Sequence, residues 1–277
     1  MLECVVNLSE GTDSAVLDDL AAAAGAALLD LHADPHHHRS VLTLGGPATE
    51  EAARALARAA VGRLDLRGHE GVHPRLGVVD VVPFVPLDAG GTPLAEGTGL
   101  EPALRARHDF AAWAAAELAL PCFLYGPERT LPEVRRRAFA DLAPDVGPGR
   151  PHATAGACAV GARWALVAYN IWLDTTDLVV TRELARSVRR PGLRTLGLAT
   201  GGHTQVSCNL VDPASLGPAE AYDAVAAEAS RRGVGVLRAE LVGLAPRAVV
   251  EAVAAGRRAE LDLSVERTIE ARLDAAG

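Results

Sequence analysis

The feature that most constrains the fold is the order of predicted strands and helices, because the same order of six elements occurs twice. Apolar periodicity and turn residues predict strand, helix, strand, strand, helix, strand from residue 2 into the strand that starts at residue 78, and again from residue 164 to 242. This is the split β-α-β topology of ferredoxin-like domains, whose helices cover one sheet face. We therefore predict an α+β chain with two ferredoxin-like subdomains, residues 1–164 and 165–277, and a ligand groove or tunnel between their sheets.

The individual elements follow from the same patterns. Strands are predicted at residues 2–8, 26–31, 41–44, from 78, 122–125, 164–173, 193–199, 204–210 and 234–242. Helices are predicted at residues 13–24, 48–64, 102–118, 131–142, 176–189, 218–232, and from 246 and 264. Residues 143–156 are too rich in Gly and Pro for regular structure and predict a long loop, which is either functional or an interdomain linker.

Composition excludes several classes of protein. No lysine occurs, which rules out a lysine Schiff base, pyridoxal phosphate anchoring and the lysine of a phosphate-binding loop. The net charge of -8 argues against a nucleic-acid partner. The four cysteines lie singly in apolar runs and are expected to be buried and reduced. The N-terminus does not resemble a signal sequence, and no apolar run approaches the length of roughly 20 residues that a membrane span requires. We therefore expect a soluble, cytoplasmic protein.

A polar turn followed by an apolar strand, His69 to Pro86, holds the best candidates for chemistry. Asp80 lies inside the strand and needs a partner, for which His73 and Arg75 are the nearest candidates. His69, Glu70 and His73 also spell the H-E-x-x-H pattern of zinc hydrolases. That pattern needs a helix, which the glycines and the proline after His73 disfavour, although a zinc hydrolase and a surface turn without chemistry both remain alternatives.

Polar residues of the predicted strands are expected to line the groove. Asn7 and Asn170 occupy nearly the same place in the two halves, although strand-end turn chemistry would also explain them. The other candidates on strands are Asp80, Gln205 and Asn209. In the loop, Arg150 and the backbone amides would suit an anionic or heteroaromatic ligand.

An ordered set of motifs resembles the glutamate formimidoyltransferase (formiminotransferase) family. The set includes Glu3 to Gly11, His73 to Gly77, Asp80 to Phe84, Leu124 to Gly126, Arg129 to Pro132, Ala143 to Asp145 with Gly147-Pro148, Val167 to Asn170, Gln205 to Ser207 with Asn209-Leu210, and Glu240 to Leu244. The resemblance implies transfer of a formimino group from N-formimino-L-glutamate to tetrahydrofolate, late in histidine degradation. The products are 5-formiminotetrahydrofolate and L-glutamate. It also implies a homodimer, tetrahydrofolate as co-substrate, no metal, and a single-function form, since the chain ends too early for a cyclodeaminase domain.

The resemblance assigns roles to residues. His73, followed by Pro-Arg, matches the catalytic histidine, and Asp80 would either fix the tautomer of its ring or pair with Arg75. The folate loop falls on Gly147, Pro148, Gly149, Arg150, Pro151, His152, Ala153, Thr154, Ala155 and Gly156. Substrate-binding candidates are Asn7, Arg39, Arg75, Asn170 and Asn209, with Arg163 as a further possible carboxylate ligand. Arg135, Arg136 and Arg137 are expected on a solvated helix face.

The chain departs from the family at His36, His37 and His38, where asparagine usually precedes the arginine. Only Asp34 supplies the acidic group often found there, so another formyl or formimino donor is an alternative. A non-catalytic folate- or pterin-binding protein is another. The three adjacent histidines could also recruit a metal, although consecutive residues do not all face one ion in regular structure.

Overall fold

Two β-sheets, each with its own helices, make up the computed structural model, which describes residues 1–71 and 74–276. One sheet has six strands and the other has four. The chain divides into a unit of Met1–Trp164 and a unit of Ala165–Ala275. The mixed α+β architecture predicted from the sequence is thus confirmed.

Among its described residues, the first unit contains six strands and four α-helices. The strands are β1 (Leu2–Leu8), β2 (Leu28–Asp34), β3 (Arg39–Gly46), β4 (Val79–Pro86), β5 (Cys122–Tyr125) and β6 (Cys158–Ala162). The helices are α1 (Ser14–Ala24), α2 (Thr49–Arg63), α3 (Glu101–Leu118) and α4 (Leu131–Arg137). The strand order is β2-β3-β1-β4-β6-β5, in which β1, β2, β3 and β4 pair antiparallel while β6 pairs parallel with both β4 and β5.

Apolar helix faces cover this sheet. In α2 the fully buried residues Ala53, Leu56, Ala57 and Ala60 recur at helical spacing, so they form one stripe. Phe110 of α3 packs edge-on against Phe84 of β4, with ring centroids 6.0 Å apart. These contacts fix the position of β4, which carries the candidate site at its beginning.

The second unit repeats the arrangement with fewer strands. Its strands are β7 (Val167–Leu173), β8 (Leu193–Ala199), β9 (Thr204–Leu210) and β10 (Val236–Val242). Its helices are α5 (Leu178–Ser187), α6 (Pro218–Arg231), α7 (Arg247–Glu251), α8 (Ala255–Arg258) and α9 (Ile269–Ala276). The strand order β10-β7-β9-β8 is entirely antiparallel and matches the order of β4-β1-β3-β2 in the first unit.

Several elements differ from the sequence prediction: β2 begins at Leu28 rather than at residue 26, and the helix expected from residue 264 begins at Ile269. Two differences are larger. Strand β6 was not predicted, because its residues Cys-Ala-Val-Gly-Ala follow a Gly- and Pro-rich loop without a strong strand pattern. Helix α4 ends at Arg137 rather than at residue 142, and Phe139 beyond it has a left-handed φ of 59°. The four cysteines are buried thiols, as expected. Among the described residues, no helix is long and apolar enough to cross a membrane.

Candidate functional site

A β-bulge at the beginning of β4 places Asp80. Leu8 of β1 pairs with Val79 and Asn7 pairs with Val81, so β4 has one extra residue at this point. A bulge of this kind redirects a side chain. The side chain of Asp80 is only 2% exposed. The sequence prediction that this carboxylate lies in a buried strand and needs a partner is therefore correct.

Arg135 pairs with Asp80, although the sequence analysis assigned this arginine to a solvated helix face. Arg135 Nη2 donates to Asp80 Oδ2 at 2.6 Å and Nη1 donates to Oδ1 at 3.1 Å, forming a bidentate ion pair. The assignment of Arg135 to solvent was wrong, since its side chain is only 18% exposed. The fully buried Val134 packs α4 against the apolar cluster of Phe123 and Tyr125, which brings Arg135 next to Asp80. Arg136 and Arg137 are exposed, as predicted.

Hydrogen bonds fasten both ends of the turn that precedes β4. Arg135 Nη1 also donates to the carbonyl of Pro74 at 2.9 Å, and the amide of Leu76 donates to Asp80 Oδ1 at 2.7 Å. Ser9 acts from the other side, since its hydroxyl donates to the carbonyl of Gly77 at 2.9 Å. The turn is thus held by the carboxylate, by the guanidinium and by the residue that follows β1.

The end of the predicted folate loop lies against this turn. The amide of Ala157 donates to the carbonyl of Leu76 at 3.0 Å, and the amide of Val78 donates to the carbonyl of Ala155 at 3.0 Å. Gly156 has φ 71°, and a Cβ there would overlap the carbonyl oxygen of Leu76. Glycine is required because the two backbones approach so closely.

The predicted folate loop is exposed at its start and anchored at its end. Gly149, Arg150 and Pro151 are exposed, whereas Ala155 and Gly156 are buried. His152 Nδ1 accepts from the amides of Thr154 at 3.3 Å and Ala155 at 3.0 Å. With Nδ1 as acceptor, a neutral His152 carries its proton on Nε2.

Two of the predicted substrate-binding residues contact each other beside Asp80. Arg39 at the start of β3 donates to the amide oxygen of Asn7 on β1. Burial lowers the pKa of Arg39 to about 10, while Asp80 opposes this effect and the charges of Arg135 and Arg75 add to it. The charges of Asp80, Arg135 and Arg75 are therefore close enough to Arg39 to change its pKa.

Arg75 contacts a histidine that the sequence analysis did not assign to the site. Its guanidinium donates to Nδ1 of His69, whose Nε2 lies 3.1 Å from the carbonyl of Ser9. Burial and the nearby charges of Arg75 and His38 lower the pKa of His69. Arg75 also donates to the carbonyl of His37 at 3.4 Å.

The loop of consecutive histidines is ordered by carboxylates. Asp34 accepts from the amides of His36 at 2.8 Å and His37 at 3.0 Å, and pairs with the ring of His37. His38 has a left-handed φ of 49°, and its Nδ1 lies 3.6 Å from Glu10 Oε1. The rings of His38 and His69 have centroids 4.1 Å apart. The histidine loop therefore adjoins the turn through His69.

In the second unit the predicted residues lie on two neighbouring strands. Asn170 on β7 is buried and donates to Glu240 Oε2 at 3.1 Å, and Trp172 Nε1 donates to the same oxygen at 3.0 Å. Asn209 on β9 is exposed, and Gln205 is buried. Arg163, in the first unit, donates to the carbonyl of Trp164 at 2.9 Å.

His73 lies outside the described residues. His69, Glu70 and Gly71 are not helical, so this part of the chain lacks the helix that the H-E-x-x-H pattern requires. Among the described residues, no group of three His, Cys, Asp or Glu side chains is placed to hold one metal ion. The sequence analysis gave no role in the site to Arg135 or Glu240, and it named His69 only as a ligand of the alternative zinc hydrolase. The proline and the acidic capping residue of α4 mark its beginning, but they do not indicate which face is buried.

Comparison with known proteins identifies the family. Residues 1–163 match the formiminotransferase domain, N-terminal subdomain. The chain is 36% identical over 274 residues to a glutamate formimidoyltransferase of Streptococcus pyogenes serotype M1, covering 89% of each chain. It is 32% identical over 276 residues to a glutamate formimidoyltransferase of Thermoplasma acidophilum, covering 89% of this chain and 88% of that one. It is also 32% identical to a formimidoyltransferase-cyclodeaminase of Sus scrofa, covering 92% of this chain and 52% of that one. The chain therefore belongs to the formiminotransferase family, as its motifs predict.

Proposed function

We propose that the protein transfers a formimino group from N-formimino-L-glutamate to tetrahydrofolate, giving 5-formiminotetrahydrofolate and L-glutamate. The observation that carries this proposal is the similarity, over 89% of the chain, to relatives that are themselves named glutamate formimidoyltransferase. Tetrahydrofolate would be the co-substrate. The absence of a metal requirement remains a prediction.

His73 is the proposed proton carrier. When N5 of the folate attacks the amidine carbon, a tetrahedral intermediate forms, and glutamate leaves only after its nitrogen is protonated. A histidine with a pKa near neutrality can take the proton from N5 and return it to the leaving nitrogen, worth about 10² to 10⁴ in rate. The intermediate would collapse by cleavage of the bond between the amidine carbon and the glutamate nitrogen.

Asp80 has a modified role in this proposal. Both of its oxygens accept hydrogen bonds from Arg135, and one accepts from the Leu76 amide as well. We infer that Asp80 acts by holding residues 74–76, which follow His73 in the sequence. Its negative charge also offsets part of the positive charge of Arg39, Arg75 and Arg135.

Binding of the two substrates is assigned by charge and by position. Arg39 and Arg75 are proposed to hold substrate carboxylates, with Asn7 fixing the guanidinium of Arg39. Residues 147–156 are proposed to contact the folate, since their buried end is bonded to residues 76–78. Asn170 and Asn209 are proposed to bind substrate from β7 and β9.

The finer architecture also belongs to the proposal. We infer that residues 1–164 and 165–277 are two ferredoxin-like subdomains, because both units contain the element order β-α-β-β-α-β and share one strand order. A substrate groove between the two sheets, a homodimer and a cytoplasmic location complete the proposal.

The deciding experiment incubates purified protein with N-formimino-L-glutamate and tetrahydrofolate and measures 5-formiminotetrahydrofolate and released glutamate. His73→Ala should abolish turnover and retain folate binding. His203→Ala, at an exposed histidine in the β8–β9 connection, is the matched control and should match the wild type.

Three other outcomes would separate the alternatives. Folate binding without turnover of formiminoglutamate or N-formyl-L-glutamate would favour a non-catalytic folate-binding protein. Turnover of N-formyl-L-glutamate alone would show that the donor differs. Activity that a chelator removes together with stoichiometric zinc would favour the hydrolase. Any of these outcomes would refute the proposal.

A further inference from the structure

Arg135 is bonded directly to Pro74 and, through Asp80, to Leu76, and the proposed function assigns it no role. One guanidinium nitrogen donates to the carbonyl of Pro74 at 2.9 Å and to Asp80 at 3.1 Å, and the other donates to Asp80 at 2.6 Å. Through Asp80 it is connected to the amide of Leu76, at 2.7 Å. The backbone on either side of Arg75 is thus held by one ion pair.

The way in which helix α4 is held explains why Arg135 makes this contact. Thr130 and Glu133 form a capping box at the start of α4, with the Thr130 amide 2.7 Å from Glu133 Oε2. Val134 is fully buried against the apolar cluster that contains Phe123 and Tyr125. The capping box and the buried Val134 fix the position of α4. This position directs the side chain of Arg135 toward Pro74 and Asp80.

The neighbouring arginine shows what a surface position would look like. Arg137 pairs with Asp141 four residues later, and both side chains are well exposed, at 44% and 66%. Arg135 and Asp80 are 18% and 2% exposed. Exposed pairs contribute little, whereas a bidentate pair with a buried carboxylate fixes geometry.

We propose that Arg135 is a positioning residue for formimino transfer, which holds the backbone of residues 74–76, the residues that follow His73 in the sequence, through the Pro74 carbonyl and Asp80. It does not touch the substrate in this proposal. The inference rests on the proposed function, because it takes His73 as the proton carrier. A small displacement of a catalytic group lowers the rate of the chemical step more than it weakens substrate binding.

The test is the kinetics of Arg135→Ala, with Arg137→Ala as the matched control on the same helix. We expect kcat of Arg135→Ala to fall by about 10- to 100-fold, with the KM of both substrates changed by less than about threefold. Arg137→Ala should have wild-type values. Added guanidinium chloride at millimolar concentration should restore part of the kcat of Arg135→Ala, which a general loss of stability would not permit.

Two further measurements keep the test decisive. Arg135→Lys retains a charge beside Asp80 in case the alanine variant does not fold, and its kcat should lie between those of wild type and Arg135→Ala. Hydrogen exchange of the Leu76 amide should be faster in both Arg135 variants and unchanged in Arg137→Ala. Wild-type kcat in the Arg135 variants, a loss equally large in Arg137→Ala, or unchanged exchange at Leu76 would overturn the inference. If wild-type protein transfers no formimino group, the proposed function fails, while exchange at Leu76 still decides whether Arg135 holds the turn.

Discussion

Asp34→Asn should remove a pH-dependent part of the stability of the first unit. Asp34 ends β2 and is 13% exposed in its side chain. Burial raises the pKa of this carboxyl, but hydrogen bonds from the ring and amide of His37 and from the His36 amide outweigh burial and lower the pKa to about 2, from 3.8. Asparagine has nearly the same shape and can still accept from both amides, so the variant removes mainly the charge.

The sign and the size of the effect follow from linkage. Because the folded-state pKa lies below the unfolded value, the stabilisation is present in full above about pH 4 and is lost as the pH falls through the folded value near 2. A tenfold change in an acid dissociation constant corresponds to about 1.4 kcal/mol, so the folded state gains about 2 kcal/mol from the ionised carboxylate. This value is an upper estimate, because the carboxyl is not completely shielded from water.

The assay is urea unfolding of wild type and Asp34→Asn at several values between pH 6 and pH 2. The wild type should lose about 2 kcal/mol more than the variant over this range, with most of the difference below pH 4. Asp65→Asn is the control, because Asp65 pairs with Arg67 in full contact with solvent and should show a smaller difference. Parallel curves for wild type and Asp34→Asn would refute the reasoning.

The remaining predictions concern the ion pair, the loop and the thiols. Asp80→Ala should destabilise the protein by about 3–5 kcal/mol in urea unfolding, because it leaves Arg135 without its carboxylate, whereas Arg137→Ala should cost less than about 1 kcal/mol. Gly156→Ala should weaken folate binding in a fluorescence titration, because a Cβ would overlap the Leu76 carbonyl, whereas Gly62→Ala, at an exposed position of α2 with nothing within 4 Å, should leave binding unchanged. Burial raises the pKa of Cys122 to about 12, so at pH 8 a thiol reagent should react with the four buried cysteines only after denaturant is added.

Local patterns were sufficient to predict most regular elements. Strands β1, β5, β8 and β9 have the predicted bounds, because alternation of buried and solvent-facing residues or a short apolar run between turn residues defines them. The doubled order of elements follows from these local signals. It was therefore possible to predict an α+β fold with two related halves before any contact between strands was known.

Contacts between distant parts of the chain were harder to predict. The bulge at Asp80 depends on how β1 and β4 pair, and the sequence of β4 alone does not reveal it. Arg135 follows Asp80 by 55 residues, and the two residues after it are also arginine. A run of three arginines on a short helix normally indicates a solvated face, so only tertiary packing distinguishes the one that is half-buried.

Contacts with distant residues also determine the geometry of the turn, so the His-Pro-Arg motif alone is not sufficient to define it. The carbonyl of Pro74 accepts a hydrogen bond from Arg135 of α4, and the carbonyl of Leu76 accepts one from the amide of residue 157. The carbonyl of Gly77 accepts one from the hydroxyl of Ser9. Each of these contacts uses a backbone group of the turn, so the geometry depends little on the side chains within it. A chain that contained His-Pro-Arg but lacked Arg135, Gly156 or Ser9 would retain the chemical groups and lose their placement. The hydrogen bonds from Ser9, from Arg135 and from the backbone beside Gly156 therefore fix the geometry of residues 74–78, which the His-Pro-Arg motif alone does not determine.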